Sequence, residues 1–246
     1  MPSLDAAQWA VALLALFLVG YSKTGVSGAG TVGVALFALV LPAKLSTGVL
    51  LPLLLVGDVV AVASYRRHAD WSRLVRLFPW VVVGVLLGAA VVRRVDDARM
   101  RELIGALLLL MLAVHWWSRR RGPDDRVVHH RAVAAGAGVL AGFATMTANA
   151  AGPIMALYFL AVGLPMLGFL GTSAWFFLLL NAFKVPFSVG LGLITPDTLA
   201  FGALTAPAVL AGAAAGRATI SRISPKVFER VTVVLTLLAA VRLVTL

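Results

Sequence analysis

Asp58 and Lys184 lie deep inside apolar runs. A charged side chain at the centre of a membrane helix costs about 2.5–3.5 kcal/mol to insert, so each needs a reason. Asn181 stands about one helical turn before Lys184. Two chemistries suit these residues. In one, Asp58 and Lys184 neutralise each other as a buried structural pair. In the other, Lys184 is the counter-charge for an anionic guest and Asp58 is a proton-coupling candidate. Lys23 adds a second interior cation against the single carboxylate, which favours an anion over a cation as cargo.

Lys23 belongs to a glycine-rich run, Gly20-Tyr-Ser-Lys-Thr-Gly-Val-Ser-Gly-Ala-Gly-Thr31, and a related run spans Gly142 to Pro153. Both read as helix interruptions at membrane depth. Glycines free the backbone, and Pro153 suits the first turn of a new helix, where its missing N–H costs nothing. Backbone groups opened at that depth are tolerated only where they face protein, water or a ligand. Helices starting near Ser27 and Asn149 point their positive dipole ends inward, and each start is a candidate anion cradle. Lys23, Thr24, Ser27, Thr145, Thr147 and Asn149 accompany Gly28, Gly30 and Gly152 in these runs. Packing alone, the role read for Gly84, Gly88, Gly212 and Gly216, does not require such polar company. Together with Asn181 and Lys184 these residues form the expected substrate site.

Other candidates carry less. His115 lies beside Trp116 and Trp117 at a segment end and reads as an interfacial anchor, while His129 and His130 lack carboxylates at ligand spacing. No metal site and no cofactor is therefore expected. Gly25-Val-Ser-Gly28 has the Gly-x-Ser-Gly form of intramembrane serine proteases, which need a histidine base on another helix. His115 is the sole intramembrane histidine, and the matching run has Asn149 where Ser27 stands, so no catalytic residue is assigned.

The elements that must position these groups follow from composition. Of 246 residues, 61% are apolar and only 13% charged, with a mean hydropathy of +0.99. Soluble domains are about a quarter charged, so a water-soluble enzyme is excluded. Apolar segments fall at about 6–20, 26–41, 46–65, 75–92 and 101–117, then 132–147, 152–163, 168–193, 198–216 and 228–245. A polar stretch from Ser118 to Arg131 separates the two fives. The expected fold is an all-α polytopic membrane protein. The first two segments of each half are too short for comfortable spans across a core of about 30 Å. Asp5, with no Lys or Arg before the first apolar stretch, speaks against a cleaved signal peptide.

The halves match internally. A shift of 123 places Pro42 on Pro165, Gly48 on Gly171 and Asp58 on Asn181; a shift of 128 places Pro79 on Pro207, Gly84 on Gly212 and Gly88 on Gly216. Two repeats, 1–122 and 123–246, are expected. With five segments each, the second enters from the opposite side, which makes the repeats inverted and brings the two breaks together near the midplane. Parity then places fourteen Lys and Arg on the side of Arg66 and Arg67 and six on the other, leaving Lys184 within the membrane. The positive-inside rule makes the first side cytoplasmic and puts both termini outside. The net charge of +11 follows from these loop residues, so nucleic acid is not an expected partner.

At these residues the sequence resembles the TauE/SafE family, also called the sulfite exporter or 4-toluene sulfonate uptake permease family. The resemblance runs through nearly the whole chain. It rests on Ser22-Lys-Thr-Gly25, Gly28-x-Gly30, Pro42-x-Lys44, Asp58, Tyr65-Arg-Arg67, Asp70-Trp71, Asn149-Ala-Ala-Gly-Pro153, Tyr158, Gly171-Thr172 and Asn181-x-x-Lys184-x-Pro186. It implies a multi-pass carrier of the bacterial inner membrane for small sulfur-containing anions such as sulfite, thiosulfate or organosulfonates. The expectation is an exporter working by alternating access, not an enzyme, and capable of forming a homodimer. The alternatives are a cation or metal permease, which would want more buried carboxylates, and an intramembrane serine hydrolase.

Overall fold

A computed structural model describes residues 4–25, 28–121, 131–219 and 234. Ser27, the linker histidines His129 and His130, and the tenth apolar segment apart from Val234 lie outside the described residues, as do the side chains of His115, Trp116 and Trp117.

The described residues form α-helices with no strand: α1 Ala6–Thr24, α2 Gly28–Val40, α3 Ala43–Tyr65, α4 Trp71–Arg94, α5 Asp97–Arg121, α6 Arg131–Ala148, α7 Gly152–Ala161, α8 Met166–Gly190 and α9 Pro196–Thr219. A 3₁₀ turn, Arg66–His68, follows α3. Among them α1, α3, α4, α8 and α9 are long and apolar enough to cross a membrane. This is an all-helical membrane fold.

One expected boundary moves. α1 does not stop at Gly20 but runs through Ser22, Lys23 and Thr24, giving 19 residues, or about 28 Å at 1.5 Å per residue. The extension survives at depth because its polar groups have protein partners. The Ser22 hydroxyl donates to the Val19 carbonyl (2.7 Å) and the Thr24 hydroxyl to the Ala213 carbonyl (2.6 Å). α2 and α7, with 13 and 10 residues, are the short helices that follow each break.

Packing exchanges partners between the halves. α1 lies along α9, and α4 lies along α6. Close backbone approach sets both contacts. A Cβ at Gly20 would sit 2.0 Å from the Val209 carbonyl oxygen, and one at Gly212 would sit 2.0 Å from that of Phe17. Across the molecule, a Cβ at Gly142 would meet the Val81 oxygen at 2.2 Å and one at Gly84 the Val139 oxygen at 2.1 Å. Only glycine fits at such distances, and small residues at these points let helix backbones touch without hydrogen-bonding side chains. The central pair is α3 and α8, which run antiparallel: Gly48 at the start of α3 abuts Leu193 after α8, and Gly171 near the start of α8 abuts His68 after α3.

Helix ends receive explicit partners. Asp97 at the start of α5 accepts from the Ala43 and Lys44 amides (3.2 and 2.9 Å), closing the first turn of α3. Asp70 caps α4 through the Arg73 amide.

Candidate functional site

Both helix breaks open onto one cavity of about 70 Å³. Its wall includes Lys23 and Gly25 from the end of α1, Gly30 and Thr31 from the start of α2, Thr145 and Asn149 from the end of α6, and Gly152 from the start of α7. Asp58 on α3 and Phe177 and Asn181 on α8 also line it.

At the first break, the Lys23 ammonium lies 2.7 Å from Asp58 Oδ1. Its stem passes over Gly57, where an added Cβ would meet Lys23 Cγ at 2.9 Å, so the glycine beside Asp58 leaves the lysine its path. The ammonium also faces the Phe177 ring, 5.0 Å from the centroid, in cation–π geometry. Asn181 Nδ2 donates to the other carboxylate oxygen of Asp58 at 2.6 Å. Both oxygens of this buried carboxylate are thereby engaged. The carbonyl of Thr24, left open where α1 ends, accepts from the Tyr65 hydroxyl at 3.0 Å.

The second break is built differently. Asn149 does not begin a helix; it ends α6 in the left-handed region at φ 49°, a conformation asparagine tolerates better than most residues. Its side chain reaches two ways, Nδ2 donating to the Thr47 carbonyl (3.1 Å) and Oδ1 accepting from Lys184 (2.6 Å). Lys184, 1% exposed, also donates to Thr145 Oγ1 (3.1 Å) and lies 3.5 Å from Asn181 Oδ1. Its oxygen partners are thus neutral. The structural pair considered between Asp58 and Lys184 does not form; Asp58 takes Lys23 as its ion-pair partner instead, and Asn181 lies between the carboxylate and Lys184.

The expected site residues thus separate. Lys23, Gly30, Thr145, Asn149, Gly152, Asn181 and Asp58 line the cavity. Lys184 stands behind the wall, bonded to three residues that line it. Thr24 faces α9 through the Ala213 carbonyl, and Thr147 donates to the Phe143 carbonyl of its own helix (2.9 Å). Gly28 is the first residue of α2. Thr31, Ser173 and Phe177 line the cavity without having been expected. For Thr31 a signal existed, since it closes the first glycine-rich run. Among the described residues no cluster of His, Asp and Glu could hold a metal ion.

A family model, Sulfite exporter TauE/SafE, matches residues 12–243, nearly the whole chain and both breaks. The chain belongs to the TauE/SafE family. No curated protein and no solved structure matches it. Membership makes it a multi-pass membrane transporter of the sulfur-anion exporter type, embedded in the bilayer and taking a small anionic substrate. TauE/SafE proteins are transporters, not enzymes.

Proposed function

We propose that this TauE/SafE protein is a secondary exporter of sulfite or a comparably small sulfur oxyanion, and that the cavity between the two breaks is its substrate site. The observation that carries the reading is the state of Asp58. Among the described residues it is the one carboxylate on the cavity wall, and Lys23 and Asn181 already hold both its oxygens. A cation would find no free carboxylate there. An anion finds the ammonium of Lys23, Lys184 one layer behind, and the amide-bearing starts of α2 and α7.

Size narrows the cargo. A water needs roughly 10–15 Å³ of such space, so about 70 Å³ admits a few-atom ion and not an aromatic sulfonate. The division of the site supports alternating access. Lys23 and Asp58 come from the first half, and Thr145, Asn149, Asn181 and Lys184 from the second, so a shift of one half against the other would remake the contacts to the guest. The reciprocal glycine contacts of α1 with α9 and α4 with α6 support two inverted repeats, 1–122 and 123–246, as the moving units. Asp58 is the proton-coupling residue of this scheme, as the carboxylate that a guest drawing Lys23 away would leave without its counter-charge. The bacterial inner membrane is the expected location.

Purified protein in proteoliposomes tests the reading through sulfite flux with and without a pH gradient. Lys23→Ala and Lys184→Ala are each expected to lower flux by up to about a hundredfold, since a hydrogen bond to a charged group contributes about 1.5–3 kcal/mol. Flux unchanged in both variants would defeat the assignment.

A further inference from the structure

Two features of the cavity bear on the charge of its guest, an inference that rests on the anion-carrier reading. The first is the set of charges around it. Among the described residues, the charged side chains at the cavity are Lys23 at the end of α1, Asp58 on α3 and, behind the wall, Lys184 on α8; α2 and α7 carry no Lys, Arg, Asp or Glu. Lys23 and Asp58 cancel across 2.7 Å. Lys184 is thus the single basic group there that no carboxylate matches. While Asp58 stays ionised and paired with Lys23, the fixed charge of the described residues balances one negative charge. A dianion would bring an uncompensated charge to membrane depth, where desolvation makes it costly.

The second is Thr31. Its hydroxyl lies on the first turn of α2, in a residue 6% exposed on the cavity wall, and among the described residues it is the buried side-chain polar atom without a hydrogen-bond partner. Helical Ser and Thr commonly turn back to a carbonyl one turn earlier. Ser22, Thr47, Thr205 and Thr219 all do so here. Thr31 does not, and an unpaired buried hydroxyl is unfavourable unless something in the cavity completes it. A hydroxyl is both donor and acceptor, so it can give its proton to an anion oxygen or receive one from a protonated oxyanion.

We propose that the cavity selects singly charged oxyanions, such as hydrogen sulfite or a small alkyl monosulfonate, over dianions of the same size, with the Thr31 hydroxyl contacting a guest oxygen directly. Methanesulfonate and sulfate make the comparison clean, because they are nearly the same size and carry one and two charges.

Binding of each to the purified full-length protein, measured by calorimetry at one pH, is the test. Methanesulfonate is expected to bind at least tenfold more tightly than sulfate. Thr31→Val should weaken methanesulfonate binding about tenfold, the loss of one hydrogen bond to a charged group. Thr31→Ser, which keeps the hydroxyl, should stay within about twofold of the unaltered chain. Equal binding of the two anions, or a valine variant as tight as the serine variant, would overturn this inference and leave the anion-carrier reading standing. Failure of both anions, and of sulfite, to bind would overturn the carrier reading as well.

Discussion

The two helix breaks share a backbone plan and differ in charge. Each ends a helix at the cavity and starts a short one a few residues later, α1 to α2 and α6 to α7. At the first, a lysine and an aspartate meet in a buried ion pair. At the second, a lone lysine is held by a hydroxyl and two amide oxygens. The residues related by the shift of 123 make the contrast concrete, because Asp58 and Asn181 hydrogen-bond each other where α3 crosses α8. Asparagine at the second position offers an N–H that a second aspartate would lack, and avoids two carboxylates side by side. The difference teaches that the two breaks share a backbone plan but not a charge. One half supplies a neutral pair, and the other the cation left over for a guest.

Breaking either half's charge group should therefore have unequal consequences. Asp58→Ala leaves Lys23 buried without a counter-ion, and loss of one partner of a buried pair costs about 3–5 kcal/mol. Lys184→Met leaves only neutral oxygens behind and is expected to cost less stability, about 1–3 kcal/mol from unmet hydrogen bonds. Unfolding in detergent compares the two, and an equal loss would erase the distinction between the breaks. The double variant Lys23→Met with Asp58→Leu should recover part of the loss, since an apolar pair often replaces a buried ion pair at little cost.

The shared plan is sharpened by its glycines. Gly84→Ala and Gly212→Ala each place a Cβ about 2 Å from a carbonyl oxygen of the other half. Each should destabilise by about 1–3 kcal/mol, the usual range for overpacking, and by similar amounts. A large effect at one glycine and none at the other would mean that the α1–α9 and α4–α6 contacts are not counterparts. The smallest effect concerns two threonines one might treat alike. Thr24→Val removes a hydroxyl that ties α1 to α9 and should cost about 0.5–1.5 kcal/mol. Thr147→Val removes one that bonds within its own helix and should cost less.

Much of this arrangement was legible in the residues, because apolar run lengths and glycine-rich interruptions mark spans and breaks directly. The breaks fall where the two runs place them, and the matched pair Asp58 and Asn181 proves to be a direct contact. The choice of partner for Asp58 was not legible. Lys23 and Lys184 both lie at membrane depth, and which one reaches the carboxylate depends on how α1 packs on α3 and on the gap at Gly57. The left-handed turn at Asn149 was hidden for a similar reason, since asparagine suits a helix start and a helix end alike. Thr24 and Thr147 share a residue type with Thr31, and only the helix rotation in the packed bundle separates the hydroxyl that faces the cavity from those that face neighbours.

The most direct measurement of the central claim is the position of a bound anion. Selenite, the heavier analogue of sulfite, can be located by its anomalous signal in crystals of the full-length protein. The account predicts one peak between the starts of α2 and α7, within hydrogen-bonding reach of Lys23 and Thr31. A peak confined to the wider cleft lined by Lys44 and Arg93, with the cavity between the breaks empty, would contradict it.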